Sequence, residues 1–112
     1  FAGVPDNGKA DQLGFPACMP NIISVGASAD NGMPYYFSNT GTWVKFMSIG
    51  RINIIMPDSK NATAVMGTSI ATPYLTALWV NRYNGAWQQQ LDSANNAIRT
   101  VKYNNLTYPF IK

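Results

Sequence analysis

The residues best placed for chemistry lie in one run, Met66-Gly67-Thr68-Ser69-Ile70-Ala71-Thr72-Pro73. Small Gly67 and Thr68 let the backbone turn sharply into a helix expected to begin at about Ser69. A serine there carries its hydroxyl at the positive end of the helix dipole, beside N–H groups that have no intrahelical acceptor. That setting suits a nucleophile whose attack creates an oxyanion. The same residues also read as an ordinary Ser/Thr helix cap.

The partners of such a serine are missing. The 112 residues contain no histidine, which excludes a complete Ser–His–Asp or Cys–His site within them and argues against zinc. There is no glutamate, and Asp6, Asp11, Asp30, Asp58 and Asp92 form no close pair suited to acid–base work. No metal or cofactor is therefore expected. Cys18, the lone cysteine, is expected to be a small buried residue and not a nucleophile.

The elements around Ser69 can be read from pattern. The first twenty residues are rich in Gly, Pro, Asp and Asn and read as loop. Asn21 to Ala27 is a short apolar run that fits a fully buried strand. Further strands are expected at Pro34–Phe37, Val44–Met47 and Ile52–Met56, with turns at Asn39-Thr40-Gly41 and Pro57-Asp58. A helix is expected from about Ser69 to Tyr83, stopped by Asn84-Gly85, with Pro73 near its start where a lost N–H is least missed. A second, from about Ala86 to Val101, would place Trp87, Leu91, Ala94, Ile98 and Val101 on one stripe. The tail from Tyr103 to Lys112 has strand-like residues without a firm period. Strands followed by packed helices imply an α/β layer architecture.

Composition bounds the rest. Apolar residues make up 46% and charged residues only 12%, about half the usual charged share of about 25%. So few charges leave little for a surface solvated all round, and some faces are expected to rest against a partner segment. The net charge of +3 comes from basic residues spread along the chain, not gathered into the stripe or patch that nucleic acid requires. No apolar run reaches the length of a membrane span.

The run from Gly67 to Pro73 carries the Gly-Thr-Ser-x-Ala-x-Pro pattern and resembles the nucleophile segment of the subtilisin-like serine proteases. Flanking stretches resemble the same family in order and spacing. Phe15-Pro16-Ala17 followed by Pro20 to Ala27 is similar to the family's passage from substrate pocket into buried strand. Phe37-Ser38-Asn39-Thr40-Gly41 is similar to its Phe-Ser-x-x-Gly turn, and Val44 to Ile54 to the strand and loop before the nucleophile. The resemblance runs from about Ala2 to Val101. It implies that residues 1–112 are the C-terminal part of a subtilisin-like fold, a parallel sheet with packed helices. Ser69 would be the nucleophile of a peptide-bond hydrolase acting on peptide or protein substrates. The family's order is Asp, His, Ser, so the missing aspartate and histidine would belong to an upstream segment of the same protease. The resemblance favours a secreted or extracytoplasmic location.

The departures from the pattern bear on activity. Ala2-Gly3 matches the family, but Val4 stands where the oxyanion asparagine is usual. Asn7 would take that role if the loop is rearranged, or is a turn residue before Gly8. In subtilisin the loss of that side-chain donor costs roughly 10²–10³ in turnover. Ile49 replaces a usual proline and Met66 a usual small residue. Gly3 and Gly14 match glycines that line the family's pocket for the residue before the cleaved bond, and also read as turn glycines. Asn61-Ala62-Thr63 and Asn105-Leu106-Thr107 fit the glycosylation sequon. Two readings stay open: a peptidase completed by its upstream segment, and an inactive relative that keeps the fold as a peptide-binding module.

Overall fold

The computed structural model describes residues 1–97 and 99–112. A parallel core of strands runs β1 (Ala2–Gly3), β2 (Ser24–Ser28) and β3 (Phe46–Ile49), followed by an excursion, β4 (Arg51–Ile55) and β5 (Ala62–Met66). Helices α1 (Thr68–Arg82) and α2 (Trp87–Ala97) come next, then β6 (Arg99–Tyr103) and β7 (Leu106–Ile111). The main sheet has the order β1-β2-β3-β7-β6, parallel except for the β6–β7 hairpin at its edge. β4 and β5 pair antiparallel and only with each other.

Alternation along the strands divides the core between the two faces of the sheet. Val25, Ala27, Phe46 and Ile111 pack with Ala71, Leu75 and Trp79 of α1 and Ala94 of α2. Met47, Ile49, Tyr108 and Phe110 gather with Val4 and Val44 in a second cluster. β2 is buried along its whole length, as a central strand covered on both faces must be. Its serines are satisfied across strands: Ser28 Oγ donates to the Ser48 carbonyl at 3.0 Å, and Ser48 Oγ donates to the Ile111 carbonyl at 3.0 Å.

Trp79 closes the end of the α1 layer. Its ring lies 5.1 Å from Phe1, 5.7 Å from Phe46 and 4.7 Å from Tyr83, centroid to centroid. Its Nε1–H donates to Gln90 Oε1 at 2.8 Å, so the polar edge of this large side chain is answered where it is buried.

Several elements differ from the sequence reading. α2 ends at Ala97, and Val101 belongs to β6; Ile98, placed on the same stripe, lies outside the described residues. The cause is the hairpin. Asn104 and Asn105 take φ of 48° and 63°, the left-handed pair that a two-residue hairpin turn demands. That turn pairs Arg99–Tyr103 with Leu106–Phe110, and β-branched Thr100 and Val101 accept the extended form. Pro34–Phe37 is a single bridge to Ser28 followed by a turn closed by Ser38 N–H on the Tyr35 carbonyl. β5 was not expected at all. Cys18 is exposed; in its turn the neighbouring Ala17 takes the buried place. Pro73 is the sixth residue of α1, so its missing N–H leaves the Ser69 carbonyl without its helical donor.

Tyr108 links the second cluster to the Asn39–Gly41 turn: its hydroxyl accepts the Gly41 N–H at 3.0 Å. Burial pushes this phenol above its usual range, opposed in part by the Gly41 hydrogen bond. The folded protein therefore keeps Tyr108 protonated to higher pH than the unfolded chain does. Stability should fall as pH rises through and beyond the unfolded value of 10.0. Tyr108→Phe is expected to flatten that alkaline loss while costing about 1 kcal/mol at neutral pH. Urea unfolding of both proteins from neutral to alkaline pH checks this; an unchanged alkaline limb would remove Tyr108 as its source.

Candidate active site

The chain reaches Ser69 along β5, through Gly67 and into the first turn of α1. Gly67 has φ of 155° and ψ of 164°, a region open essentially to glycine alone. A Cβ there would come within 3.0 Å of Ser69 Oγ and 3.2 Å of Asp6 Oδ2. The Gly67 N–H donates to the Gly50 carbonyl at 2.9 Å, which clamps this passage to the end of β3. The Gly67 carbonyl accepts the first bonds of α1, from Ile70 and Ala71 at 3.1 and 3.2 Å.

Thr68 fixes the helix against β1. Its buried Oγ1 donates to the Val4 carbonyl at 2.7 Å. Gly3 permits that approach: a Cβ on it would sit 2.9 Å from Thr68 Oγ1 and 3.1 Å from Thr72 Oγ1, too close for an unshifted side chain. Ser69 follows with its side chain exposed. The hydroxyl thus stands in the open at the N-terminus of a fifteen-residue helix, where the macrodipole favours negative charge.

One anion is already there. The Thr68 N–H donates to both oxygens of Asp6, at 3.1 and 3.2 Å. Gly67, the residue before α1, offers no capping side chain, and Asp6 supplies the acceptor from 62 residues earlier in sequence. Its loop is held from behind by Asn39. That buried amide accepts the Lys9 N–H at 3.0 Å and donates to the Gln12 carbonyl at 3.1 Å. The Asn39 N–H donates to the Pro5 carbonyl at 3.1 Å. Asp6 itself is exposed.

The structure brings together only part of what the sequence singled out. Gly3 lies against Thr68 and Thr72 of the first turn of α1, on either side of Ser69 in sequence but not in contact with it. Val4 is buried, with its side chain in the second core cluster and its N–H on the Val25 carbonyl, so it presents no group to the serine. Asn7 is exposed on the loop beyond. Gly14 packs on Pro5, where a Cβ would meet Cγ at 2.6 Å. Met66 is exposed immediately before the Gly67 passage. Asp6 was missed by sequence reasoning, because nothing in the local pattern Pro5-Asp6-Asn7-Gly8 distinguishes a distant helix cap from a turn aspartate.

Comparison with known proteins places the chain in a family. Residues 3–107 match the subtilase family of peptidases. An intracellular serine protease of Paenibacillus polymyxa is 38% identical over 98 residues, covering 84% of this chain and 30% of that protein. Among solved structures, the self-cleaved protease domain of PatA is 31% identical, with a TM-score of 0.60 over 70% of this chain and 31% of its own. A cold-adapted subtilisin-like serine proteinase shares the fold at a TM-score of 0.74, with 23% identity, over 96% of this chain and 42% of its own. The chain belongs to the subtilase family, and its α/β architecture is subtilisin-like. It spans 30% of the length of the Paenibacillus relative and 16% of a thermophilic serine proteinase from a Bacillus strain.

Because Val4 faces the core, Val4→Asn should not install a donor beside Ser69. Burying the amide among Val44, Met47 and Tyr108 is expected to cost about 1–3 kcal/mol. Chemical denaturation measures that loss; an unchanged midpoint would mean that the side chain at position 4 turns outward.

Proposed function

We propose that Ser69 is the nucleophile of a subtilisin-type serine endopeptidase, completed by a histidine and an aspartate from polypeptide preceding Phe1. The observation that carries this reading is an exposed serine hydroxyl at the N-terminus of α1, inside an unbroken Gly-Thr-Ser-x-Ala-x-Pro segment of a subtilase chain. Ser69 Oγ attacks the carbonyl carbon of the scissile peptide, and its proton passes to the histidine, which the aspartate orients. The carbonyl oxygen becomes an oxyanion facing the positive N-terminal end of α1. As this intermediate collapses, the C–N bond breaks, the histidine gives its proton to the departing amine, and the acyl ester left on Ser69 is then cleaved by water. Gly3 and Gly14 are proposed to line the pocket for the residue before the cleaved bond.

The need for an upstream segment has support in the surface of this chain. α1 carries one charged side chain, Arg82. On its outer side Pro73, Thr76, Ala77 and Val80 are exposed, and Val80 is 73% exposed. A helix apolar on more than one side is ordinarily covered on more than one side. β1 is an edge strand of two residues, open to further pairing.

A second reading, an inactive relative that binds peptides without cleaving them, is favoured by the buried Val4 and by the carboxylate at the N-terminus of α1.

Residues 1–112 alone should hydrolyse no peptide, since a serine without a base is a poor nucleophile. The longer polypeptide that includes the segment before Phe1 should be labelled by a fluorophosphonate on Ser69, and Ser69→Ala should abolish labelling. Failure of the longer protein to label, with its fold intact, would replace the peptidase with the binding module.

A further inference from the structure

The carboxylate of Asp6 lies where the reaction proposed above must place a second negative charge. Thr68 N–H, the first donor of α1, is chelated by both Asp6 oxygens at 3.1 and 3.2 Å. Asp6 Oδ2 and Ser69 Oγ both come within 3.2 Å of the point that a Gly67 Cβ would occupy. The anion and the nucleophile therefore flank the same empty glycine position. The loop that delivers the carboxylate is pinned by the buried Asn39 through Lys9, Gln12 and Pro5, so the arrangement is braced from behind.

We infer that Asp6 is an electrostatic brake on Ser69: its charge occupies the anion-favouring end of α1 and opposes formation of the oxyanion. This inference rests on the peptidase reading and names a residue that tunes it. When Ser69 Oγ bonds to the carbonyl carbon and its proton moves to the histidine, the carbonyl π pair goes to oxygen and leaves one negative charge. That charge must share the field of the helix with Asp6, and like charges a few ångströms apart repel. The ground state holds no such charge, so the repulsion falls on the transition state and lowers kcat more than it raises KM. A side chain that merely caps the helix would have the opposite signature, because losing it would loosen α1 and slow the enzyme. Since Asp6 is exposed, dissolved salt should screen part of the effect.

The test uses the full-length protein and three versions of position 6. Asp6→Asn keeps a carbonyl oxygen for Thr68 N–H while removing the charge, and Asp6→Ser offers a shorter neutral acceptor. Expected is an increase of about tenfold in kcat and in the rate of fluorophosphonate labelling, with KM for an uncharged peptide nearly unchanged, one decade being 1.36 kcal/mol of barrier. Added salt should accelerate the parent and leave Asp6→Asn unmoved. If the parent labels on Ser69 and neither variant is faster, the brake is overturned and the peptidase reading stands. If both variants lose the fold, Asp6 is a structural cap and the brake is overturned likewise. If neither parent nor variants label while all remain folded, the peptidase reading fails and the brake falls with it.

Discussion

The hydroxyl of Thr68 donates to the Val4 carbonyl across 2.7 Å, buried between the first turn of α1 and the edge strand β1. Much of the structure is arranged to let those two atoms meet. Gly3 must lack a side chain, or Thr68 and Thr72 could not approach. β1 must pair with β2 in register, which it does through Ala2 N–H on the Ile23 carbonyl and Val4 N–H on the Val25 carbonyl. Val4 must turn its side chain into the core so that its carbonyl is free to face the helix. Given that contact, Ser69 can only emerge at the open end of α1, one residue further on.

Two kinds of restraint then hold the helix. Packing fixes its axis: Ala71, Leu75 and Trp79 bury against Val25, Ala27 and Phe46. A few polar bonds fix its end, with Gly50 holding Gly67, Val4 holding Thr68, and Asp6 holding the Thr68 N–H. Apolar burial supplies most of the stability, whereas the polar bonds fix the end of the helix from which one hydroxyl emerges. A site that depends on position needs both.

Much of this was legible in the sequence, and the residues show why. Gly67 to Ala71 states its conformation locally, since a glycine turn followed by helix-compatible residues answers the demands of the turn and the helix. Pro73, by contrast, sits deeper in α1 than its type suggested. The buried strand around Val25 announces itself by an unbroken apolar run. The fold class followed from these elements and from the resemblance to subtilisin-like proteases. β5 was illegible because Ala62, Thr63 and Ala64 are exposed and its partner is supplied by β4 and not by a core. β6 was hidden because Val101 falls at helical spacing from Ala94 by coincidence, and only the Asn104-Asn105 turn reveals the hairpin. Asp6 was illegible for a deeper reason. Its role exists only after 62 residues have folded back upon it, and no local rule reports such a meeting.

The β4–β5 ribbon carries one further consequence. Its strands pair only with each other from Arg51–Met66 at the base to Ile55–Ala62 near the tip, and the base is clamped by Gly67 N–H on the Gly50 carbonyl. The turn between them, with Ser59 N–H on the Met56 carbonyl, lies at the far end of the ribbon from Ser69. Lengthening or shortening the ribbon by whole register pairs changes how far it reaches and leaves the clamp untouched. The fold thus separates a ribbon whose length can change from a clamp that stays in place, and joins them within three residues of Ser69.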